Sequence, residues 1–433
     1  MNHLTHLRRK TRSFLWVLLC TLLAISCNDH DVPGNSDAAI YPSDAVRSWL
    51  TMQLKLAQAM PGSPPVLARR FAYTSIAIYE SIAPGLAGYQ SIAPQLNGLS
   101  AIPQVTTGLT YYWPACANAA AAEMNRTMHP ALIASAKTKI DSLESENLER
   151  YKQNRPEEEL VRSAAFGKLI AKAVFDWSKS DGYDNVVPYT PLIGAPFWKP
   201  TPPAFAAAIL SNWGKNRLLV ANSDALAAQG APTAYSEDPS SDYYKEVEEL
   251  YTISQNLTTE QRTIATYWPD NSWHNVLSQV LAEKKPNLGE AAAAFARMSI
   301  AMSDGAVSLC KGKYEYHGVR PITYIRTVMN HPDWNTVIPT PPHPEYPSGH
   351  SVMSAAAAEA LTQLFGNNYA FIDKPYNLTG FLPRSYSSFE AAAEEAAISR
   401  VYSGIHYRKT CLVSLKHGKI IAQNLATKLK FKL

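Results

Sequence analysis

The sequence predicts an all-α protein built around one large helical domain. Apolar residues recur at three- and four-residue spacing over most of its length, and alternating strand-like runs are almost absent. Alanine clusters at 119–122, 291–294, 355–358 and 391–393 add high helix propensity and suit close helix contact. The periodic stretches are residues 45–60, 67–82, 109–124, 157–178, 259–283 and 288–309. Residues 182–239 break the pattern. They are rich in proline and aromatic residues (PYTPLIGAPFWKPTPPAF) and read as a structured loop packed over the helices. No repeat of 20–50 residues is evident.

Composition bounds the function classes. With 433 residues, 46% hydrophobic and 18% charged, the chain is globular and neither disordered nor coiled-coil. Its net charge of +4 is matched by Arg8, Arg9, Lys10 and Arg12 in a segment without acids, so residues 27–433 are electrically neutral. Bulk charge therefore gives no reason to expect a nucleic-acid partner.

That basic segment precedes the 13 apolar-rich residues FLWVLLCTLLAIS (14–26), too short for a spanning helix, which takes about 20. Residues 1–26 read as a signal peptide. The junction LAISC resembles the lipobox of bacterial lipoproteins, which makes Cys27 the lipidated first residue and 27–39 a polar tether. The implied location is the bacterial cell envelope, anchored by lipid at the outer membrane on its periplasmic or surface face. Cys116, Cys310 and Cys411 lack CxxC spacing and read as buried small hydrophobes. The catalytic domain is expected over 40–433, with its site in 304–410.

Three segments carry chemistry. In KYEYHGVRP (313–321), Lys313 and Arg320 lie almost two helical turns apart, and Pro321 predicts that the helix ends at Arg320. In PPHPEYPSGH (341–350), prolines stiffen the approach to a helix that Ser348 can cap and Gly349 can open to a ligand; the helix stops at Gly366. Its first N–H groups form an anion site. In SRVYSGIH (399–406), Arg400 and His406 fall on different faces of a straight helix, and Gly404 offers the break that lets them converge. Taken separately, each segment has a structural explanation in capping or the helix dipole. Together they supply three fixed cations, backbone donors and two imidazoles, the inventory of a phosphate-like site.

Lys-x6-Arg-Pro, Pro-Ser-Gly-His and Ser-Arg-x5-His, in that order, resemble the three signatures of the superfamily of type 2 phosphatidic acid phosphatases and vanadium haloperoxidases. The contexts KYEYHGVRPITYIR, PTPPHPEYPSGHS and SRVYSGIHYR look like its soluble haloperoxidase branch. The resemblance implies two packed helical bundles. It makes His406 the axial vanadate ligand, or the nucleophile of a phosphatase. Lys313, Arg320 and Arg400 would neutralise equatorial oxygens, Ser348 and the Gly349 N–H would bond them, and His350 would be the acid–base residue opposite. Asp270, in YWPDNSW, resembles an Asp that pairs with the last Arg, and His343 stands near the halide end. Two positions depart from the pattern: Cys310 where Trp is usual, and Thr410 where an Asp would orient His406.

The resemblance leaves two chemistries open. A haloperoxidase would hold vanadate and use hydrogen peroxide to oxidise bromide or iodide, with Lys313 polarising the bound oxidant. A phosphatase would need no cofactor: His406 would attack a phosphomonoester and His350 would protonate the leaving group. A third reading, a catalytically inactive envelope lipoprotein that binds glycans on Tyr and Trp faces, has no use for the convergent Lys, Arg and His.

Overall fold

A computed structural model describes residues 37–433 apart from 100, 130, 154, 270, 271 and 376–379. The segment read as a signal peptide (1–26) and the lipidation candidate Cys27 lie outside the described residues, as does Asp270. The tether assigned to 27–39 ends earlier than expected. Asp37 accepts a hydrogen bond from the Ala39 N–H (2.9 Å), a 3-10 turn covers Ala38–Ile40, and Ala38 is buried.

The helices fall into two packed bundles. The first contains α1 (Asp44–Ala59), α2 (Pro64–Ile82), α3 (Trp113–Thr127), α4 (Ala134–Lys152) and α5 (Glu157–Ser178). After the long loop come α6 (Asp242–Gln255), α7 (Thr259–Tyr267), α8 (Trp273–Lys284), α9 (Leu288–Tyr316) and the short α10 (Pro321–Thr327). The second bundle is α9, α11 (Gly349–Phe365), α12 (Phe389–Tyr402) and α13 (Arg408–Lys428), and α2 packs against α9 to join the halves. A two-stranded antiparallel hairpin, β1 (Phe371–Asp373) with β2 (Arg384–Tyr386), lies between α11 and α12. No described helix is long and apolar enough to cross a membrane.

Several boundaries differ from those expected. The stretch 259–283 is two helices because Pro269 cannot supply a helical N–H and Ser272 starts afresh, its hydroxyl accepting from the His274 N–H (3.2 Å). Helix α4 escaped the periodicity because little of it is buried. It is held by polar contacts instead, notably Arg126 to Asp141 (2.7 Å) and Asn147 to Asn118 (2.8 Å). Helix α9 is longer than its apolar pattern yet stops before Arg320. It opens with a capping box between Asn287 and Glu290 and closes where His317 turns left-handed at φ +51°. The loop grips that turn: Trp198 N–H donates to the His317 carbonyl (2.7 Å), and Tyr189 meets its ring (2.8 Å). Lys313 and Arg320 are therefore not on one helix.

The aromatic loop is anchored as expected of a packed element. The buried Asp304 carboxylate of α9 accepts from Leu219 N–H (2.6 Å), Val220 N–H (3.1 Å) and the Ser223 hydroxyl (2.6 Å). Gly214 lies so close to α9 that a Cβ there would fall 2.4 Å from the Lys311 nitrogen. Cys116, Cys310 and Cys411 are buried free thiols.

Helices α11 and α13 are in closer contact still. A Cβ on Gly418 would lie 2.0 Å from the Val352 carbonyl oxygen and 2.9 Å from the Ala356 nitrogen, both backbone atoms that cannot turn aside. Gly418→Ala should therefore push the helices apart and destabilise the protein by about 1–3 kcal/mol or more. A denaturant midpoint equal to that of the native protein would show that the two backbones can separate at no cost.

Candidate oxyanion site

All three segments meet at one end of the second bundle. Lys313 sits in the last turn of α9, Arg320 is the N-cap of α10, Ser348 is the N-cap of α11, and Arg400 lies in the last turn of α12. His406 follows Gly404, which takes φ +78° between α12 and α13. That is the break expected to bring Arg400 and His406 together, since an L side chain rarely adopts this conformation.

The cations are almost wholly out of water: Arg320 is 0%, Arg400 1% and Lys313 2% exposed. Lys313 gives its three ammonium protons to the carbonyls of Pro344 (2.9 Å), Glu345 (3.1 Å) and Pro347 (2.6 Å). Burial and then Arg320 pull its pKa down to about 7 against the opposing charge of Glu345, and the three carbonyl acceptors favour the ammonium form. Arg320 donates to the carbonyls of His343 (2.8 Å) and Ile405 (2.8 Å), and to ring nitrogens of His343 (2.9 Å) and His406 (3.3 Å). Burial lowers it to about 10, which leaves it charged at neutral pH. Arg400 donates through Nε to the Ser399 hydroxyl (2.9 Å).

These contacts set the imidazoles. An arginine can only donate, so His406 Nε2 must accept and carries no proton, whereas His343 Nδ1 lies between the Arg320 donor (2.9 Å) and the Pro344 carbonyl (3.2 Å), which fit opposite tautomers. His406 Nδ1 faces the Glu345 carboxylate (Oε1, 2.8 Å) and carries its proton there. Burial and then the neighbouring cations hold His343 and His406 well below their ordinary pKa. His350, which hydrogen-bonds the Pro269 carbonyl, is lowered to about 3 by burial and then Arg400.

A 240 Å³ cavity opens among Lys313, His343, Gly349, His350 and His406, and its remaining wall is largely apolar, from Pro64, Ile209, Leu309 and Met353 among others. The loop and the N-terminus of α2 thus roof the site. His350, Pro64 and Met353 are shared with a 600 Å³ cavity that runs between α1, α2 and α8. Ser348 reaches α11 as its N-cap but not through its side chain, which meets the Ser351 hydroxyl (2.9 Å).

The residues fit a tetrahedral oxyanion. The first N–H groups of α11 have no side-chain cap. Gly349 is not demanded by packing or by positive φ: a Cβ there would meet only Leu309 at 3.8 Å. It borders the cavity, where a side chain would take ligand space. Lys313, Arg320 and Arg400 all act on His406, and the carboxylate in contact with it is Glu345, whose pKa burial raises to about 7.

That carboxylate, Glu345, is a residue of the candidate site that the sequence motifs do not point to. Its signal was slight: one acid in a proline-rich run, three residues before Ser348. Asp270 lies outside the described residues, so its expected pairing with Arg400 has no geometry here.

The family model described as the VCPO second helical-bundle domain matches residues 293–432. Among solved structures, a bacterial vanadium-dependent iodoperoxidase is similar at 31% identity and a TM-score of 0.82, covering 90% of this chain and 97% of that one. A bacterial vanadium-dependent chloroperoxidase in its holo form is similar in fold, with 16% identity, a TM-score of 0.68, and 86% and 93% of the two chains covered. A search of curated proteins returns no match.

The neutral rings predict proton-linked binding. Burial and then Arg400 hold His350 near 3; a bound anion offsets the second cause, so the His350 pKa rises on loading and its contribution to affinity increases as pH falls through the loaded value. Calorimetry with orthovanadate at pH 6.5, in buffers of different ionisation enthalpy, should show that the native protein takes up more protons, or releases fewer, than His350→Gln. An equal proton count in the two proteins would contradict this electrostatic account.

Proposed function

We infer the activity from the family to which this chain belongs, the vanadium-dependent haloperoxidases: it binds vanadate through His406 and oxidises iodide or bromide with hydrogen peroxide. The observation that carries this reading is the His406 Nε2 lone pair at a buried cavity lined by Lys313, with Arg320 in contact with the ring.

His406 would hold vanadate through Nε2, with Lys313, Arg320 and Arg400 balancing its charge and the Gly349 N–H bonding it. Vanadate supplies a redox-inert Lewis acid that activates peroxide. The protein's own groups do the rest. Lys313 acts mainly through its charge, because its protons are committed to the loop carbonyls. His350, uncharged and facing both cavities, can take the proton of an entering peroxide on a ring nitrogen. His343 lines the cavity beside His406, and in the tautomer that accepts from Arg320 at Nδ1 its Nε2–H is a donor for a halide or oxyanion. The apolar roof keeps water from competing. The soluble form, residues 28–433, loaded with orthovanadate in phosphate-free buffer, should oxidise iodide with peroxide. His406→Ala should lower the rate by at least about 100-fold, and His343→Ala should alter only halide turnover or preference. Phosphomonoester hydrolysis inhibited by vanadate, with no halide oxidation, would assign the cradle to phosphoryl transfer.

The envelope location is proposed from residues 1–27: a basic start, a 13-residue apolar-rich run and Cys27 after small residues. In a bacterial host that processes lipoproteins, the full chain should incorporate labelled fatty acid and sediment with membranes. Cys27→Ala should abolish the label and release the protein, and an unlabelled native chain would remove the anchor.

A further inference from the structure

The carboxylate at His406 does not come from the helix that follows it. Position 410, one turn along, holds Thr410, and the acid arrives from the proline loop. Glu345 Oε1 accepts from His406 Nδ1 (2.8 Å) and from the Tyr407 N–H (3.3 Å), and Oε2 accepts from the Thr410 hydroxyl (3.1 Å). Its backbone is equally fixed: the N–H donates to the Gly318 carbonyl (2.9 Å), and the carbonyl accepts from Lys313 (3.1 Å). One residue of the second segment, 2% exposed, thus touches both of the other chemistry-bearing segments.

We propose that Glu345 is the positioning residue that holds His406 as its Nδ1–H tautomer, doing from the loop what an acidic side chain at position 410 would do from α13. The argument rests on His406 being the reacting ring, as in the function proposed above. Both ends of that ring require the same tautomer. Arg320 can only donate at Nε2, and Glu345, already receiving two other hydrogen bonds, accepts at Nδ1. Thr410 completes the exchange of roles. A hydroxyl there gives its proton to the far oxygen and stops the carboxylate from rotating away, whereas a second acid would repel it. The carboxylate also faces away from the substrate cavity. With Thr410, Tyr407 and Tyr243 it borders a separate 280 Å³ cavity on the other side of His406, so reagents at Nε2 do not meet it.

Carboxylate relocation tests the proposal. The full soluble domain would be prepared as Glu345→Gln, Glu345→Ala, Thr410→Asp and Glu345→Ala/Thr410→Asp. Two readouts apply: ring 15N shifts of His406 without vanadate, assigned by their loss in His406→Ala, and orthovanadate affinity by equilibrium dialysis. We expect one tautomer in the native protein, a mixture in Glu345→Gln, and a 10–100-fold loss of vanadate affinity in both single Glu345 variants. The double variant should regain the single tautomer and most of the affinity, while Thr410→Asp alone should bind more weakly than native. An unchanged tautomer and affinity in Glu345→Gln would overturn the proposal. So would a folded double variant, by thermal melting, that performs no better than Glu345→Ala. If the native protein takes up no vanadate, the haloperoxidase reading fails, and the tautomer comparison still decides for or against Glu345.

Discussion

The structure depends above all on keeping three cations dry. Removing one ion from water costs on the order of several kcal/mol even after relaxation, and Lys313, Arg320 and Arg400 are each at most 2% exposed. For Lys313 and Arg320 the chain offsets this mainly with carbonyl dipoles. Five of the hydrogen bonds from Lys313 and Arg320 end on backbone oxygens of residues 343–347 and Ile405. Dipoles satisfy donors without cancelling charge, so the positive potential survives for a ligand. A cradle lined with carboxylates would be easier to fold and poorer at holding an oxyanion.

That solution explains where secondary structure stops. Carbonyls can point at Lys313 only if residues 344–347 are not helical, and prolines at 341, 342, 344 and 347 ensure that. Arg320 can reach Ile405 only because α9 ends at His317 and α12 ends before Gly404. The aromatic loop secures the first break through Trp198 and Tyr189, and Asp304 fastens that loop to the middle of α9. An element far from the motifs in sequence thus fixes the place where the longest helix ends.

Much of this was legible in the sequence. The all-α class, the 157–178 helix and the α11 stop at Gly366 follow from periodicity and capping, which act over a few residues. The motif residues converge as expected, because Gly404 and the proline run state their conformations locally. What failed were features decided by partners distant in the chain. The end of α9 depends on Trp198, and α4 depends on Arg126 and Asn118 rather than on an apolar face. Glu345 was overlooked for the same reason: its meaning lies in Nδ1 of a histidine 61 positions away. Thr410 was read as the loss of a carboxylate, whereas the structure shows a donor to one supplied from elsewhere.

The grip of Lys313 on the carbonyls of 344–347 has a consequence for the timing of assembly. Ordering a flexible loop around an arriving ligand costs about 0.5–1.5 kcal/mol for each side chain immobilised. Here the loop is tied by protein contacts alone, so that entropy is spent during folding, before any oxyanion enters. The cradle is preorganised. An oxyanion then meets a backbone already in place, and residues 344–347 need not fold around it.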